Sequence, residues 1–184
     1  MSHRLFPSLS RRSFIKSATL GFASFGVPTL LKAHRFGDKK LYLYNIHTGE
    51  WFKETYWENG TYIEEALQSL NHFMRDRRTG DITKINPNLF DLIQAITQKA
   101  GSANPVELIC GYRCPKTNAS LCKTKKGVAK KSLHMSGRAA DIRLVGTELK
   151  TLRDIARAEK KGGVGYYPRS QFIHVDIRPK PAYW

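Results

Sequence analysis

An α+β domain, built on a small antiparallel sheet with helices packed on one face, is the fold class this sequence predicts, and three observations carry it. Short runs rich in aromatic and branched residues stand on either side of turn residues. Longer stretches repeat apolar residues at helical spacing. In the last third, two strands with apolar backs flank a single helix, which suits a sheet covered on one side.

Taken in order, Leu41–Ile46 and Trp51–Trp57 are separated by His47-Thr48-Gly49-Glu50 and read as a β-hairpin. Glu64–Arg77 carries Ala66, Leu67, Leu70, Phe73 and Met74 on one helical stripe, with Gly80 as its stop. Asn88–Ala100 is a second helix, entered through Asn86-Pro87 and closed by Gly101. Val106–Gly111 is a short buried strand, and Ala139–Val145 and Phe172–Ile177 are two more. Between those two, Thr147–Lys160 reads as a helix with a threonine cap, ending before Gly162-Gly163. No internal repeat or low-complexity tract interrupts the pattern.

The first 33 residues belong to a different regime: Arg4, Arg11, Arg12 and Lys16 without one acidic residue, then an apolar run from Ala18 to Leu31. That is the layout of a signal peptide. Ser10-Arg11-Arg12-Ser13-Phe14-Ile15-Lys16 resembles the twin-arginine export signal, which implies passage through the twin-arginine machinery to the periplasm. Gly21, Gly26 and Pro28 break the apolar run, which falls short of the ~20 residues that span a bilayer, so no stable membrane span is expected in the mature form. Residues 34–184 are then one domain. They keep 26 basic residues against 15 acidic ones, a balance of +11 that seeks an anionic polymer. For an exported protein the anions on offer are wall carboxylates and lipid headgroups instead of nucleic acid; a surface merely kept soluble by charge is the competing account.

Cys110, Cys114 and Cys122 lie in a compartment that permits disulfides, and their odd number leaves at least one unpaired or bonded between chains. Cys110 reads as a small buried strand residue, while Cys114 and Cys122 flank a short polar loop they could close. None stands in a C-x-x-C pair of the kind that binds zinc.

Chemistry concentrates in the last third. Along Ala139–Val145 side chains alternate, so Ala140, Ile142 and Leu144 share one face and Asp141 and Arg143 the other. Phe172–Ile177 repeats the device: Ile173, Val175 and Ile177 turn toward the helices, leaving Phe172, His174 and Asp176 opposite. With His134 just ahead of the first strand, three ligands can converge on the sheet face away from the helices, as a catalytic zinc with one open position requires. Exposed polar residues on two strands would give the same spacing.

Ser132-x-His134-x-x-Gly137-x-Ala139-x-Asp141, then Gly163-Val164-Gly165-Tyr166-Tyr167 and Phe172-x-His174-Val175-Asp176, resembles the LAS-type metallopeptidases, which include D-Ala-D-Ala carboxypeptidases and wall endopeptidases. Within them the chain is most similar to the murein endopeptidase K (YcbK-type) subfamily, from the twin-arginine segment through Asn45-x-His47-Thr48-Gly49-Glu50, Leu70-Asn71-His72-Phe73 and Gly111-Tyr112-Arg113 to Trp184. The resemblance implies zinc on His134, Asp141 and His174, with Arg113 facing the substrate as an oxyanion or carboxylate partner and one of Tyr166 and Tyr167 lining the cleft. Many such enzymes place an acidic base three residues before the last histidine, where this chain has Gln171. Asp176 is the nearest substitute, either as the catalytic base or as a carboxylate that orients His174. Lys123 to Lys131 forms a basic run that could meet an anionic wall peptide, whereas His47 and His72 read as structural. Three functions compete: a peptidoglycan cross-link endopeptidase acting on stem peptides, a carboxypeptidase trimming terminal D-Ala, and a zinc-holding wall-binding protein without turnover.

Overall fold

A computed structural model describes residues 37–184; the export segment expected over residues 1–33 lies outside them. The elements run β1 (Lys39–Asn45), β2 (Trp51–Glu58), β3 (Thr61–Tyr62), α1 (Glu64–Phe73), α2 (Pro87–Lys99), β4 (Val106–Cys110), α3 (Pro115–Thr124), a 3₁₀ turn (Leu133–Ser136), β5 (Ala139–Leu144), α4 (Leu149–Ala158), β6 (Gly163–Tyr167), β7 (Phe172–Asp176) and β8 (Ala182–Tyr183). The α+β class is borne out. The sheet is larger than expected, with eight strands in the order β3-β2-β1-β4-β5-β7-β6-β8. Most pairs are antiparallel, but β1 and β4 run parallel, as do β6 and β8.

Period-two alternation fixes which way each strand faces. Leu41 and Leu43 of β1, Ile142 of β5 and Ile173 and Val175 of β7 turn inward and pack against Leu70 of α1, Phe90 and Ile93 of α2 and Leu152 of α4, forming one core. Asn86 caps α2 by accepting a hydrogen bond from Asn88 N–H, and Pro87 fills the first turn, where its missing N–H costs nothing.

Four expectations need correction. Residues 115–124 are helix α3 instead of a loop: Pro115 starts it, and the Cys114 side chain caps it by accepting from Thr117 N–H. Cys110, Cys114 and Cys122 are all free thiols, so no bridge closes that segment. Helix α1 stops at Phe73, because the chain beyond it turns to meet the 111–114 loop: Met74 C=O accepts from Tyr112 N–H, and buried Asp76 accepts from Cys114 N–H at 2.9 Å. Helix α4 starts at Leu149 with Glu148 as its uncapped N-terminal neighbour, so Thr147 is not its cap.

Candidate metal centre and its cleft

The register of the sheet assembles the site. Asp141 of β5 lies opposite His174 of β7, and on its other side opposite Cys110 of β4. His134 comes from the 3₁₀ turn, which Gly137 closes in a left-handed conformation at φ 62°; a side chain on Gly137 would also strike the Lys84 carbonyl.

Hydrogen bonds orient both imidazoles. His134 Nδ1 lies 2.8 Å from the Gly111 carbonyl, which can only accept, so Nδ1 carries the proton and Nε2 presents a lone pair. His174 lies between two carboxylates, with Nε2 3.1 Å from Asp176 Oδ2 and Nδ1 2.9 Å from Asp141 Oδ1; when Nε2–H donates to Asp176, Nδ1 is the nitrogen left facing Asp141 and His134. His134 Nε2, His174 Nδ1 and Asp141 Oδ1 converge: His134 Nε2 to His174 Nδ1 is 3.2 Å, His134 Nε2 to Asp141 Oδ1 3.3 Å, and His174 Nδ1 to Asp141 Oδ1 2.9 Å. Three electron-pair donors this close repel unless a cation or a proton lies among them. Bonds of about 2.1 Å at tetrahedral angles put ligand atoms about 3.4 Å apart, so the triangle has the size and chemistry that a single zinc ion takes. Within the chain alone a proton must do this work. Burial by itself would lower the His134 pKa, but Asp141 and Cys110 outweigh it and hold it well above the ordinary value. Burial would likewise raise Asp141, yet His134 and His174 hold it below the usual carboxylate range.

Asp176 stands behind His174. Its side chain is fully buried, at 0% exposure, and saturated: Oδ1 accepts from Gly163 N–H and Arg178 N–H, and Oδ2 from His174 Nε2–H and an Arg178 guanidinium N–H at 2.6 Å. The Gly163-Val164-Gly165 spacing follows from this crowding. A Cβ at Gly163 would press on the Asp176 carboxylate, and one at Gly165 would lie 2.6 Å from Trp184 Nε1. Trp184 reaches the site because β8 pairs with β6; its ring packs 5.4 Å from His174, its indole N–H donates to the Tyr167 hydroxyl, and Arg178 lies over its face.

The cluster opens into a cleft of about 600 Å³. Arg77, Arg78, Arg113, Lys125, Lys126, Lys131 and Arg178 line it, against Asp141 as the one carboxylate among its lining residues. Arg113 Nη2 is 3.9 Å from Asp141 Oδ2, its Nη1 donates to Asn118 Oδ1, and its Nε is buried with no hydrogen-bond partner, an unspent donor beside the site. Of the two tyrosines expected to supply one cleft residue, Tyr167 lines the cleft, whereas Tyr166 faces the helices with the Arg153 guanidinium of α4 over its ring. Gln171 is directed elsewhere, donating to the Pro168 carbonyl. His47, taken above as structural, lines the cleft as well; burial and then Arg77 keep its pKa low.

An α+β chain in which two histidines and an aspartate converge at the floor of a basic cleft defines the class. The chain belongs to the family whose model is described as Peptidoglycan L,D-endopeptidase MepK, which matches residues 34–183. It is similar to the peptidoglycan L,D-endopeptidase MepK of Escherichia coli strain K12, at 42% identity over 160 residues, covering 87% of this chain and 88% of that protein. It is also similar to the probable peptidoglycan L,D-endopeptidase MepK of Haemophilus influenzae, at 41% identity over 136 residues and 73% of each chain. The crystal structure of the Serratia marcescens L-Ala D-Glu endopeptidase ChiX aligns over 52% of this chain and 68% of its own at 16% identity and a TM-score of 0.35, too slight a likeness to argue from. The resemblance read from the motifs is thus borne out.

Proposed function

We propose that this chain is an exported, zinc-dependent peptidoglycan endopeptidase that hydrolyses peptide bonds in cross-links between stem peptides, at a junction of L- and D-configured centres. The observation that carries the reading is the convergence of three atoms able to bind a metal, His134 Nε2, Asp141 Oδ1 and His174 Nδ1, at the floor of a cleft lined with cations. Family membership supplies the substrate class.

A zinc ion held by these three side chains would polarise a scissile carbonyl and make a water nucleophilic near neutral pH. The chain supplies the rest. Arg113, which lines the cleft with its Nη2 3.9 Å from Asp141 Oδ2, is placed to receive the oxygen that gains charge or a substrate carboxylate. Lys125, Lys126 and Lys131 attract the anionic stem peptide, and Tyr167 with Trp184 walls the site. Asp176 orients His174 and is no proton acceptor, because it is sealed from the cleft. Residues 1–33 serve as a twin-arginine signal that delivers the 34–184 domain to the periplasm.

One observation favours a second reading, a wall-binding protein without turnover: the cleft lining offers no carboxylate beyond Asp141. Mass analysis of purified cross-linked muropeptides incubated with the zinc-loaded protein decides between them. Conversion of dimers to monomers supports the endopeptidase, loss of terminal D-Ala alone supports a carboxypeptidase, and bound but intact muropeptides support the binder.

A further inference from the structure

We infer that Cys110 is a fourth protein ligand to this metal centre, so that the resting site is capped by a thiolate that must be displaced before water or substrate can bind. The inference rests on the proposed zinc site and concerns its regulation.

The backbone puts the sulfur there. Leu108 of β4 pairs with Ile142 of β5 on the core face, and unbroken alternation would bring Cys110 to the same face, opposite Ala140. The register slips between Leu108 and Cys110 instead, so that Cys110 faces Asp141. A bulge of this kind re-aims a side chain. Here it turns a thiol from the core to the site face, in one row with Asp141 and His174. Cys110 Sγ and ligand atoms of His134 and Asp141 all lie within 4.8 Å of one another. A tetrahedral zinc would hold sulfur about 3.6 Å from its nitrogen and oxygen ligands, so the Cys110 side chain, clustered with His134 and Asp141 but not with His174, must turn toward His174 to complete the set. An Arg113 guanidinium N–H donates to the same sulfur at 3.5 Å, holding it on the site face. Cys114 and Cys122 are spent differently, one capping α3 and the other beside the Val128 carbonyl.

Capping is a ligand exchange without redox change: the Cys110 S–H proton leaves to solvent, the sulfur bonds the metal, and a water departs. Opening reverses these steps, which lets the arriving substrate gate the site.

X-ray absorption at the zinc edge tests this on the purified, zinc-loaded protein, with zinc content measured on the same sample. The expected result is a sulfur scatterer at about 2.3 Å beside nitrogen and oxygen at about 2.0–2.1 Å. It should vanish in Cys110→Ser at unchanged zinc content and persist in Cys122→Ser. A zinc-loaded parent showing nitrogen and oxygen alone, or a sulfur signal that survives Cys110→Ser, overturns the inference and leaves the three-ligand site standing. A parent that binds no zinc overturns both.

Discussion

Replacing Asp176 by Asn separates two jobs a carboxylate can do beside a metal. Its Oδ2 accepts from His174 Nε2–H at 3.1 Å and from Arg178, while Oδ1 accepts from Gly163 N–H and Arg178. The amide has one acceptor oxygen. If it keeps the Gly163 and Arg178 N–H bonds, its NH₂ group points at His174 Nε2–H, and the imidazole must either lose that bond or move its proton to Nδ1, the atom that faces Asp141 and would bind the proposed zinc. Loss of such a supporting carboxylate weakens metal affinity by about 10–100-fold, or about 1.4–2.8 kcal/mol. The assay is a zinc titration against a competing chelator, run beside muropeptide cleavage at saturating zinc. Affinity should fall by that factor, with most of the rate restored once zinc is in excess. Parent affinity combined with a ~10²–10⁴-fold drop in turnover would refute the reasoning, since that is the signature of a lost general base. Burial would raise the Asp176 pKa, but His174 and Arg178 outweigh it and hold it below the usual carboxylate range, which leaves a poor proton acceptor.

Asp76→Asn should cost about 1.5–3 kcal/mol at neutral pH, because the buried carboxylate accepts from Cys114 N–H and Arg78 N–H. Burial would raise the Asp76 pKa, but those bonds and Thr117 lower it, so its stabilisation is full above the unfolded value of about 3.9 and is lost as pH falls through the folded one. Denaturant titrations should therefore show the gap between parent and variant closing on acidification; a constant gap contradicts this. Gly165→Ala should displace Trp184 and change its fluorescence with little loss of zinc, since the added methyl would lie 2.6 Å from the indole nitrogen while the three ligands are untouched; an unaltered emission spectrum counts against the packing described. Replacing Arg11 and Arg12 by Lys should hold the protein in the cytoplasm, because twin-arginine recognition reads guanidinium groups, and undiminished periplasmic accumulation would argue against that route.

What was legible beforehand was whatever period-two alternation encodes. Asp141 and His174 each stand out of phase with apolar neighbours, Ile142 and Ile173 among them, and the pairing of β5 with β7 makes them meet. The same parity could have sorted the tyrosines, since Tyr166 pairs with Ile173 on the core side and Tyr167 with Phe172 on the site side. Other features depend on contacts distant in sequence. Helix α3 is mostly polar and is capped by a sulfur, so Pro115–Thr124 carries neither an apolar stripe nor an ordinary cap. The placing of Asp176 was settled by Arg178 folding back upon it, and that of Trp184 by the β6–β8 pairing. A single-residue slip in β4 leaves no trace in composition, yet it decides which face Cys110 shows.

The most direct test of the central claim is X-ray diffraction from crystals of the zinc-loaded protein, recorded above and below the zinc absorption edge. One anomalous peak is expected about 2.0–2.2 Å from His134 Nε2, His174 Nδ1 and an Asp141 oxygen. A peak bound elsewhere, or none in protein that cleaves muropeptides, would contradict it.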